Sequence, residues 1–323
     1  MDVRELIKIC EGRKVYIQTH NFPDPDAIAS AYGLQRLFEQ FGITSRIIYV
    51  GRIDKISTTK MIETFNIELT SHDSISSELK SDDYIICVDS QKNAGNILDV
   101  TGEEIAAIDH HPTFVHVDYR YFDQRIVGAC ATIITGYFRD LGIKPDKKTA
   151  TALLYGIKMD TLQFVRGVTP EDIDAFKFLF DYIDKDTLLK LEGNNMEYKD
   201  LQAYGEAIEN IQLYGCAGFS KVEFACPDAL IAILSDFILS LIEVEVAIVY
   251  SEREDGVKFS IRSERAQVNA GAVIKKALDG IGSGGGHAAM AGGFVTKESF
   301  EKLGNYADDV IRDRFLDAMN GAI

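Results

Sequence analysis

The stretch Ile105-Ala106-Ala107-Ile108-Asp109-His110-His111-Pro112 joins a short apolar run to one acid and two adjacent histidines. A buried strand that ends in a turn places its last side chains in the crevice above the sheet, where open α/β folds bind ligands. An acid beside tandem imidazoles at such a strand end indicates metal chemistry. Taken alone, the stretch is equally consistent with a solvated turn. Three further acidic segments favour the metal site.

These three segments also end a predicted strand or helix in acids or histidines. They are His20-x3-Asp24-x-Asp26, Asp89 and Asp160. Oxygen and imidazole ligands without thiolates suit Mn²⁺ or Mg²⁺, and the histidines favour Mn²⁺. Six or seven candidate ligands exceed one octahedral shell once waters are included, which favours two metals that share a bridging carboxylate and a bridging hydroxide. For Asp24 or Asp26 alone, an N-cap of the following helix is the commoner explanation.

The apolar pattern of the first half predicts an α/β fold with a mostly parallel sheet covered by helices. Short apolar runs at 14–19, 46–50, 84–88 and 104–108 alternate with segments of helical spacing, such as 26–41. Strands that alternate with helices are typical of parallel sheets covered on both faces. The four acidic segments are therefore expected at one edge of this sheet.

A second, smaller α/β domain is predicted after the polar stretch Glu192-Gly193-Asn194-Asn195, which has the composition of a linker. A helix is expected from there to about residue 213, and residues 281–287 are expected to form a glycine loop. Strands of the second sheet are predicted at 222–225, 244–250 and 257–262. The predicted domains are 1–191, a linker helix at 192–213, and 214–323.

Charge limits the class of substrate. The chain has 323 residues, enough for two domains, and a formal net charge of −16. A field of this sign repels a long polyanion, so we expect a short phosphate-bearing substrate and no long nucleic acid. The same acidity is also consistent with a role in solubility alone.

The sequence also predicts where in the cell the protein is found. The longest apolar stretch, 229–247, is interrupted by acids, so no membrane span is expected. Residues 1–5 lack the features of a signal peptide, which predicts a cytoplasmic protein. The five cysteines include no C-x-x-C pair and are expected to be reduced core residues.

Four ordered motifs resemble those of the DHH phosphoesterases, and the resemblance covers nearly the whole chain. They are His20-Asn21-Phe22-Pro23-Asp24-Pro25-Asp26-Ala27, Cys87-Val88-Asp89-Ser90, Asp109-His110-His111-Pro112 and Tyr155-Gly156-Ile157-Lys158-Met159-Asp160-Thr161. The second half resembles the DHH-associated domain of subfamily one through Ser260-Ile261-Arg262-Ser263 and Gly284-Gly285-Gly286-His287. This places the chain beside nanoRNases, pAp phosphatases, cyclic-dinucleotide phosphodiesterases and RecJ-type exonucleases. Family II pyrophosphatases share the first motifs but carry a different second domain.

The resemblance implies a role for each motif residue. His20, Asp24 and Asp89 would bind one metal. Asp26, Asp89, His110 and Asp160 would bind the other, so Asp89 would bridge the two metals. His111 would face the scissile phosphate, and Asp109 would orient a histidine. A simple turn cap is the alternative for Asp109. The chain lacks the Ser/Thr pair and Glu that relatives often carry at the next helix, so only Thr132 is expected as a phosphate donor there.

Substrate contacts are expected from the second domain. The glycine segment offers bare backbone N–H groups to an anion, and His287 and Arg262 add charged donors. The alternatives are a flexible turn for the glycines and a surface strand residue paired with Glu264 for Arg262. The full predicted set is Arg262, Ser263, Asn269, Gly285, Gly286 and His287, with Asn269 assigned to the base or sugar.

Together these features predict a two-domain phosphodiesterase or phosphomonoesterase that uses two Mn²⁺ ions, with Mg²⁺ or another divalent metal as the alternative. A metal hydroxide would attack phosphorus in a substrate bound in the cleft between the domains. The expected substrates are dinucleotides such as pApA and pGpG, short oligoribonucleotides, or pAp. Hydrolysis of polyphosphate or pyrophosphate and a non-catalytic nucleotide sensor are the alternatives. The identity of the nucleotide, the end attacked, the native metal and the oligomeric state stay open, with a homodimer as one option.

Overall fold

A computed structural model describes residues 2–53, 55–113, 115–193, 196–198 and 200–320. The chain divides into two units, Met1–Asn195 and Met196–Ile323. Asn194 and Asn195 of the predicted linker lie outside the described residues. Within the described part of the chain, no helix combines the length and apolar character needed to span a bilayer.

The first unit combines a six-stranded sheet with a set of helices. Its strands are β1 (Val15–Thr19), β2 (Ser45–Tyr49), β3 (Leu69–Ser71), β4 (Tyr84–Val88), β5 (Glu103–Asp109) and β6 (Tyr121–Gln124). Its helices are α1 (Val3–Cys10), α2 (Pro25–Glu39), α3 (Ile56–Phe65), α4 (His72–Ile75), α5 (Cys130–Leu141), α6 (Lys147–Asp160), α7 (Pro170–Phe180) and α8 (Lys185–Glu192). All neighbouring strands pair in parallel, so the expected parallel sheet is confirmed.

Strand order explains where the acidic segments meet. The order is β3-β2-β1-β4-β5-β6, so the chain moves outward from β1 in one direction and then from β4 in the other. The crevice at such a reversal lies beyond the carboxyl ends of the central strands. Strands β1, β4 and β5 end in register beside one another, with Thr19 opposite Val88 and Val88 opposite Ile108. His20, Asp89 and Asp109 are therefore held at one edge of the sheet.

The sheet is buried on both faces. Alternate residues of β1 point in opposite directions: Val15 and Ile17 belong to the core that includes α2 and α6, whereas Tyr16 belongs with Ile48 and Ile85 to a core on the other side. A continuous apolar strand of this kind is typical of a parallel sheet between two layers. Helices α2, α5 and α6 supply much of the larger core.

Two glycines bring α2 and α6 into close contact. A Cβ on Gly33 would lie 2.7 Å from Leu153 Cδ2, and a Cβ on Gly156 would lie 2.7 Å from Ala29 Cβ. The two helices therefore approach more closely than side chains would allow. The first turn of α2 carries Asp26 and α6 ends at Asp160, so this contact also brings two acidic segments together.

The second unit is a mixed sheet with its own two cores. Its strands, β7 (Gln212–Tyr214), β8 (Ala217–Val222), β9 (Val246–Glu252), β10 (Gly256–Ser263), β11 (Gly282–Gly286) and β12 (Met290–Thr296), are ordered β11-β12-β10-β9-β8-β7. Only β8 and β9 are parallel neighbours among the described pairs. Its helices are α9 (Asp200–Glu209), α10 (Asp228–Leu239), α11 (Ala270–Ala277), α12 (Lys297–Glu301) and α13 (Ala307–Asn320), with a short 3₁₀ turn at Gly304–Tyr306.

Three expectations for this unit are wrong. The helix predicted to reach residue 213 ends at Glu209, and Gln212–Tyr214 pair as β7. The strand predicted at 222–225 lies at Ala217–Val222. The predicted glycine loop is the edge strand β11, paired with β12. A Cβ on Gly286 would lie 2.5 Å from Ala291 Cα, so glycine is required there by close backbone approach.

The glycine contact between α2 and α6 makes a testable prediction. Gly156→Ala should lower the free energy of unfolding by about 1–3 kcal/mol, because its Cβ would collide with Ala29 in a packed core. Gly136→Ala on α5 is the matched control, since the nearest atom to its Cβ, Arg125 Nη1, is 3.8 Å away. That variant should gain about 0.5–1 kcal/mol from helix propensity. Urea unfolding would measure both, and equal effects would contradict the close contact.

Candidate metal centre

Three overlapping groups of acids and histidines form at the carboxyl edge of the parallel sheet. In each group one ligand atom per residue lies within 4.8 Å of the others. The groups are His20 with Asp24 and Asp89, Asp26 with His110 and Asp160, and Asp89 with His110 and His111. Every metal ligand implied by the resemblance belongs to at least one group, and Asp89 occurs in two. The structure thus brings together residues separated by up to 140 positions in the sequence.

The first group is oriented by the backbone around it. His20 Nδ1 lies 2.8 Å from the Asn21 carbonyl oxygen, which fixes the tautomer that leaves Nε2 free. Nε2 lies 3.8 Å from Asp24 Oδ1 and 3.6 Å from Asp89 Oδ2. Asp24 Oδ1 also accepts hydrogen bonds from the amides of Asp26 and Ala27, so Asp24 caps α2 while its carboxylate faces His20. The cap and ligand interpretations of Asp24 are therefore compatible.

The second group is built in the same way. His110 Nδ1 lies 3.0 Å from the Val127 carbonyl oxygen, and Nε2 lies 3.3 Å from Asp89 Oδ1 and 3.4 Å from Asp160 Oδ2. Asp26 is completely buried between α2 and the start of α5. Its two carboxylate oxygens accept hydrogen bonds from the backbone amides of Cys130 (2.7 Å) and Ala131 (2.9 Å). A helix N-terminus stabilises a carboxylate in this position.

Asp89 occupies a left-handed backbone conformation directly after β4. Its φ is 58°, and its amide donates to the Ile108 carbonyl oxygen on the neighbouring strand. This conformation is uncommon for a residue with a Cβ, although Asp and Asn adopt it more readily than most. Oδ1 of Asp89 is buried and, among the described residues, accepts no hydrogen bond. The turn therefore holds a carboxylate between both histidines.

Asp109 and His111 form a separate pair at the rim. Asp109 is buried, and its Oδ1 lies 2.8 Å from His111 Nδ1, while Gln91 donates to Oδ2 at 2.8 Å. The His111 side chain is 51% exposed, so its Nε2 side is available to a ligand. The hydrogen bond with Asp109 raises the pKa of His111, which favours the cationic imidazolium. Asp109 is therefore placed to orient His111.

The cluster carries more negative charge than its surroundings neutralise. Burial and the charge of Asp89 raise the pKa of Asp26 well above its usual value, and burial with nearby acids also raises the pKa of Asp160. Burial lowers the pKa of His110, but the Asp89 carboxylate outweighs it and raises that pKa to about 11. For His20, Asp24 and Asp89 similarly outweigh burial and raise the pKa to about 9. The cluster therefore retains protons that divalent cations would displace.

The donor set fits hard divalent cations. Carboxylate oxygens and imidazole nitrogens suit Mn²⁺ and Mg²⁺, and the buried Oδ1 of Asp89 provides an acceptor without a hydrogen bond from any residue that the structure describes. The four buried cysteines contribute no sulfur to the groups found among the described residues. The structure therefore favours oxygen and nitrogen ligation at this edge.

The start of α5 has a structural role that the sequence analysis missed. Thr132 was expected to contact phosphate, but its hydroxyl donates to Asp172 Oδ1 at 2.5 Å. Asp172 Oδ2 also accepts a hydrogen bond from the Gly128 amide. This bond fixes the turn, and the backbone amides that follow the turn bind Asp26. The only sequence signal is Thr169-Pro170-Glu171-Asp172, which caps α7. Gln91, which holds Asp109, follows Asp89 by two residues and could have been found from that motif.

The predicted substrate residues of the second unit lie around β10, β11 and the start of α11. Arg262 donates to Asp236 at 2.6 Å rather than pairing with Glu264, and the Ser263 hydroxyl donates to the Val268 carbonyl. Asn269 caps α11 by accepting the Ala272 amide. Gly285 and His287 are exposed, and a Cβ on Gly285 would meet no atom within 4 Å. Gly286 is exposed as well, so these three neighbouring positions are open to a ligand.

Comparisons with known proteins agree with this arrangement. Residues 14–157 match the DHH family N-terminal domain, and residues 217–313 match the DHHA1 domain. A solved structure of an exopolyphosphatase-related protein from Bacteroides fragilis superposes with a TM-score of 0.77 at 19% identity, covering 99% of this chain and 97% of that one. This likeness supports the two-domain α/β fold.

Three curated proteins are also similar. An uncharacterised protein of Methanocaldococcus jannaschii is 31% identical over 98% of this chain and 66% of its own length. A probable manganese-dependent inorganic pyrophosphatase of Bacillus licheniformis is 29% identical over 51% of this chain and 54% of its own. The cyclic-di-AMP phosphodiesterase of Bacillus subtilis is 25% identical over 93% of this chain and 48% of its own. The chain thus spans about half to two thirds of these relatives.

The charge of the cluster predicts opposite effects of one substitution with and without metal. Burial, together with nearby acids, raises the pKa of Asp89, so its ionised form opposes folding at neutral pH. In a chelator, Asp89→Asn should therefore be at least as stable as the wild type, and Asn also tolerates the left-handed backbone. With Mn²⁺ at 100 times its Kd, the wild type should gain about 2.7 kcal/mol and the variant less.

Urea unfolding with and without Mn²⁺ would measure these free energies. Asp73→Asn, at a side chain that is 94% exposed, is the control and should respond to Mn²⁺ as the wild type does. An equal gain from Mn²⁺ in the Asp89 variant would show that Asp89 does not bind metal.

Proposed function

Because the chain belongs to the DHH phosphoesterase family, we propose that it is a metal-dependent hydrolase of short nucleotides. The proposed substrates are dinucleotides such as pApA and pGpG, short oligoribonucleotides, or pAp. The observation that carries the proposal is the convergence of acids and histidines at the carboxyl edge of the sheet. The proposed set of ligands is His20, Asp24, Asp26, Asp89, His110 and Asp160.

Each residue has a distinct proposed task. Two divalent cations, of which Mn²⁺ suits the imidazole ligands best, would supply an activated water and neutralise phosphate charge when bound. His20 and His110 would present Nε2, because their Nδ1 atoms are taken by backbone carbonyls. Asp89 would lie between the two groups. His111, held by Asp109, would donate to a phosphoryl oxygen as negative charge develops there.

The second unit supports a nucleotide substrate rather than pyrophosphate. The match to the pyrophosphatase covers 51% of this chain, whereas the match to the cyclic-di-AMP phosphodiesterase covers 93%. The DHHA1 domain is thus shared with a protein named for a nucleotide substrate. Exposed Gly285, Gly286 and His287 would bind the terminal phosphate, with Arg262, Ser263 and Asn269 beside them. The pyrophosphatase name also supports manganese as the metal.

A substrate panel tests the activity. Purified protein with Mn²⁺ would be incubated with pApA, pGpG, pAp, a cyclic dinucleotide and pyrophosphate, and the products separated by chromatography. We expect nucleotide products from at least one dinucleotide or pAp, and no turnover by Asp89→Asn, because Asp89 belongs to two of the three groups of candidate ligands. Turnover of pyrophosphate alone would contradict the nucleotide assignment. Unchanged turnover in the variant would contradict the metal mechanism.

The division of tasks between the units makes a second prediction. His287→Ala should lower kcat/KM for a nucleotide substrate by about 10- to 150-fold, the value of one lost charge-assisted hydrogen bond. Hydrolysis of a simple phosphodiester without a nucleoside should change much less, and bound Mn²⁺ should not change. Steady-state kinetics and metal analysis on one preparation would measure all three quantities. Equal losses on both substrates would exclude a role for His287 in nucleotide recognition.

A further inference from the structure

The segment after α6 folds back over the helix end that carries Asp160. Leu162, Gln163 and Phe164 are three consecutive residues with positive φ, at 46°, 60° and 65°. The amides of Val165 and Arg166 then donate to the Thr161 carbonyl oxygen at 2.9 and 2.8 Å. The chain thus makes a tight left-handed turn immediately beside a proposed metal ligand.

This turn is unfavourable for residues with a Cβ and must be held by its surroundings. Thr161 is completely buried, and its hydroxyl oxygen accepts the Phe164 amide at 3.1 Å. The ring of Phe164 packs edge-on against Phe176 of α7, with centroids 5.4 Å apart. The surrounding packing holds an unfavourable backbone conformation next to the candidate metal ligands. Strain in such a place indicates a functional constraint.

The turn places the guanidinium of Arg166 beside Asp160. Its Nη2 donates to the Asp160 carbonyl oxygen at 2.8 Å, and lies 3.6 Å from the carboxylate Oδ1. The side chain is 45% exposed, and within the described chain its Nε and Nη1 atoms make no hydrogen bond. The Nη2 atom of the guanidinium is therefore held by Asp160, whereas Nε and Nη1 can donate to a ligand.

We propose that Arg166 is a substrate-binding residue that donates to a nonbridging oxygen of the reacting phosphate beside Asp160. This inference rests on the proposed phosphoesterase function. A phosphate that enters a cluster of four aspartates is repelled by them, so cations at the rim are needed to hold it. The planar fork of an arginine matches two phosphate oxygens, which a lysine ammonium does not. Arg166 is not among the residues predicted from the sequence, because it lies six residues beyond the last motif ligand.

The test compares Arg166→Gln and Arg166→Lys with a matched control. Arg139→Gln serves as the control, because Arg139 is 46% exposed and pairs with Asp140 at 3.3 Å near the end of α5. We expect Arg166→Gln to lower kcat/KM by about 10- to 100-fold on both a dinucleotide and a simple phosphodiester, because the contact is to the reacting phosphate. Arg166→Lys should recover part of the loss, and Arg139→Gln should match the wild type.

Two further measurements separate binding from a structural role. Bound Mn²⁺ should be the same in all variants, and the affinity of the Mn²⁺-loaded protein for inorganic phosphate, by calorimetry, should fall about 10-fold or more in Arg166→Gln. Loss of Mn²⁺ would overturn the proposal by showing that Arg166 only positions Asp160. Unchanged kinetics and phosphate affinity would also overturn it.

The phosphate measurement does not depend on turnover. If the wild type hydrolysed none of the tested nucleotides, the proposed function would fail, and phosphate affinity would still decide whether Arg166 binds phosphate. The two failures can therefore be told apart.

Discussion

The mutual repulsion of four aspartates is the constraint around which the first unit is built. Asp24, Asp26, Asp89 and Asp160 come from three segments and converge in a mostly buried cluster. Such a cluster opposes folding unless positive charge compensates it. Part of that compensation comes from the fold itself, through the first amides of α2 and α5 and through His20 and His110. The rest is what divalent cations would supply.

The packing of the helices makes this convergence possible. Gly33 and Gly156 allow α2 and α6 to approach closely, which brings the start of one helix to the end of the other. The parallel sheet supplies the third fixed point, because β1, β4 and β5 end side by side. The apolar core that stabilises the fold and the polar cluster that would bind metal thus occupy different places, with the cluster at the edge of the sheet. Rigid elements of this kind hold ligands more accurately than flexible loops do.

The sequence allows much of the first unit to be predicted. Apolar strands that alternate with helices specify a parallel sheet, and acids at the ends of those strands must then meet at one edge. Features that depend on three-dimensional contact are harder to predict. The amides that bind Asp26 lie 104 and 105 residues away along the chain, and Arg166 reaches Asp160 through a left-handed turn. In the second unit, glycines at 282–286 suggest a loop because no side chain reveals the pairing of β11. Backbone hydrogen bonds form that strand whatever the side chains are.

The central claim is that the cluster at the sheet edge binds two divalent cations. Anomalous X-ray diffraction at the manganese edge, on crystals of the protein grown with Mn²⁺, tests it most directly. Our account predicts two anomalous peaks about 3.5–4 Å apart, one bonded to His20 and Asp24, the other to Asp26, His110 and Asp160, with Asp89 bonded to both. A cluster without any anomalous peak, or manganese bound only in the second unit, would contradict it.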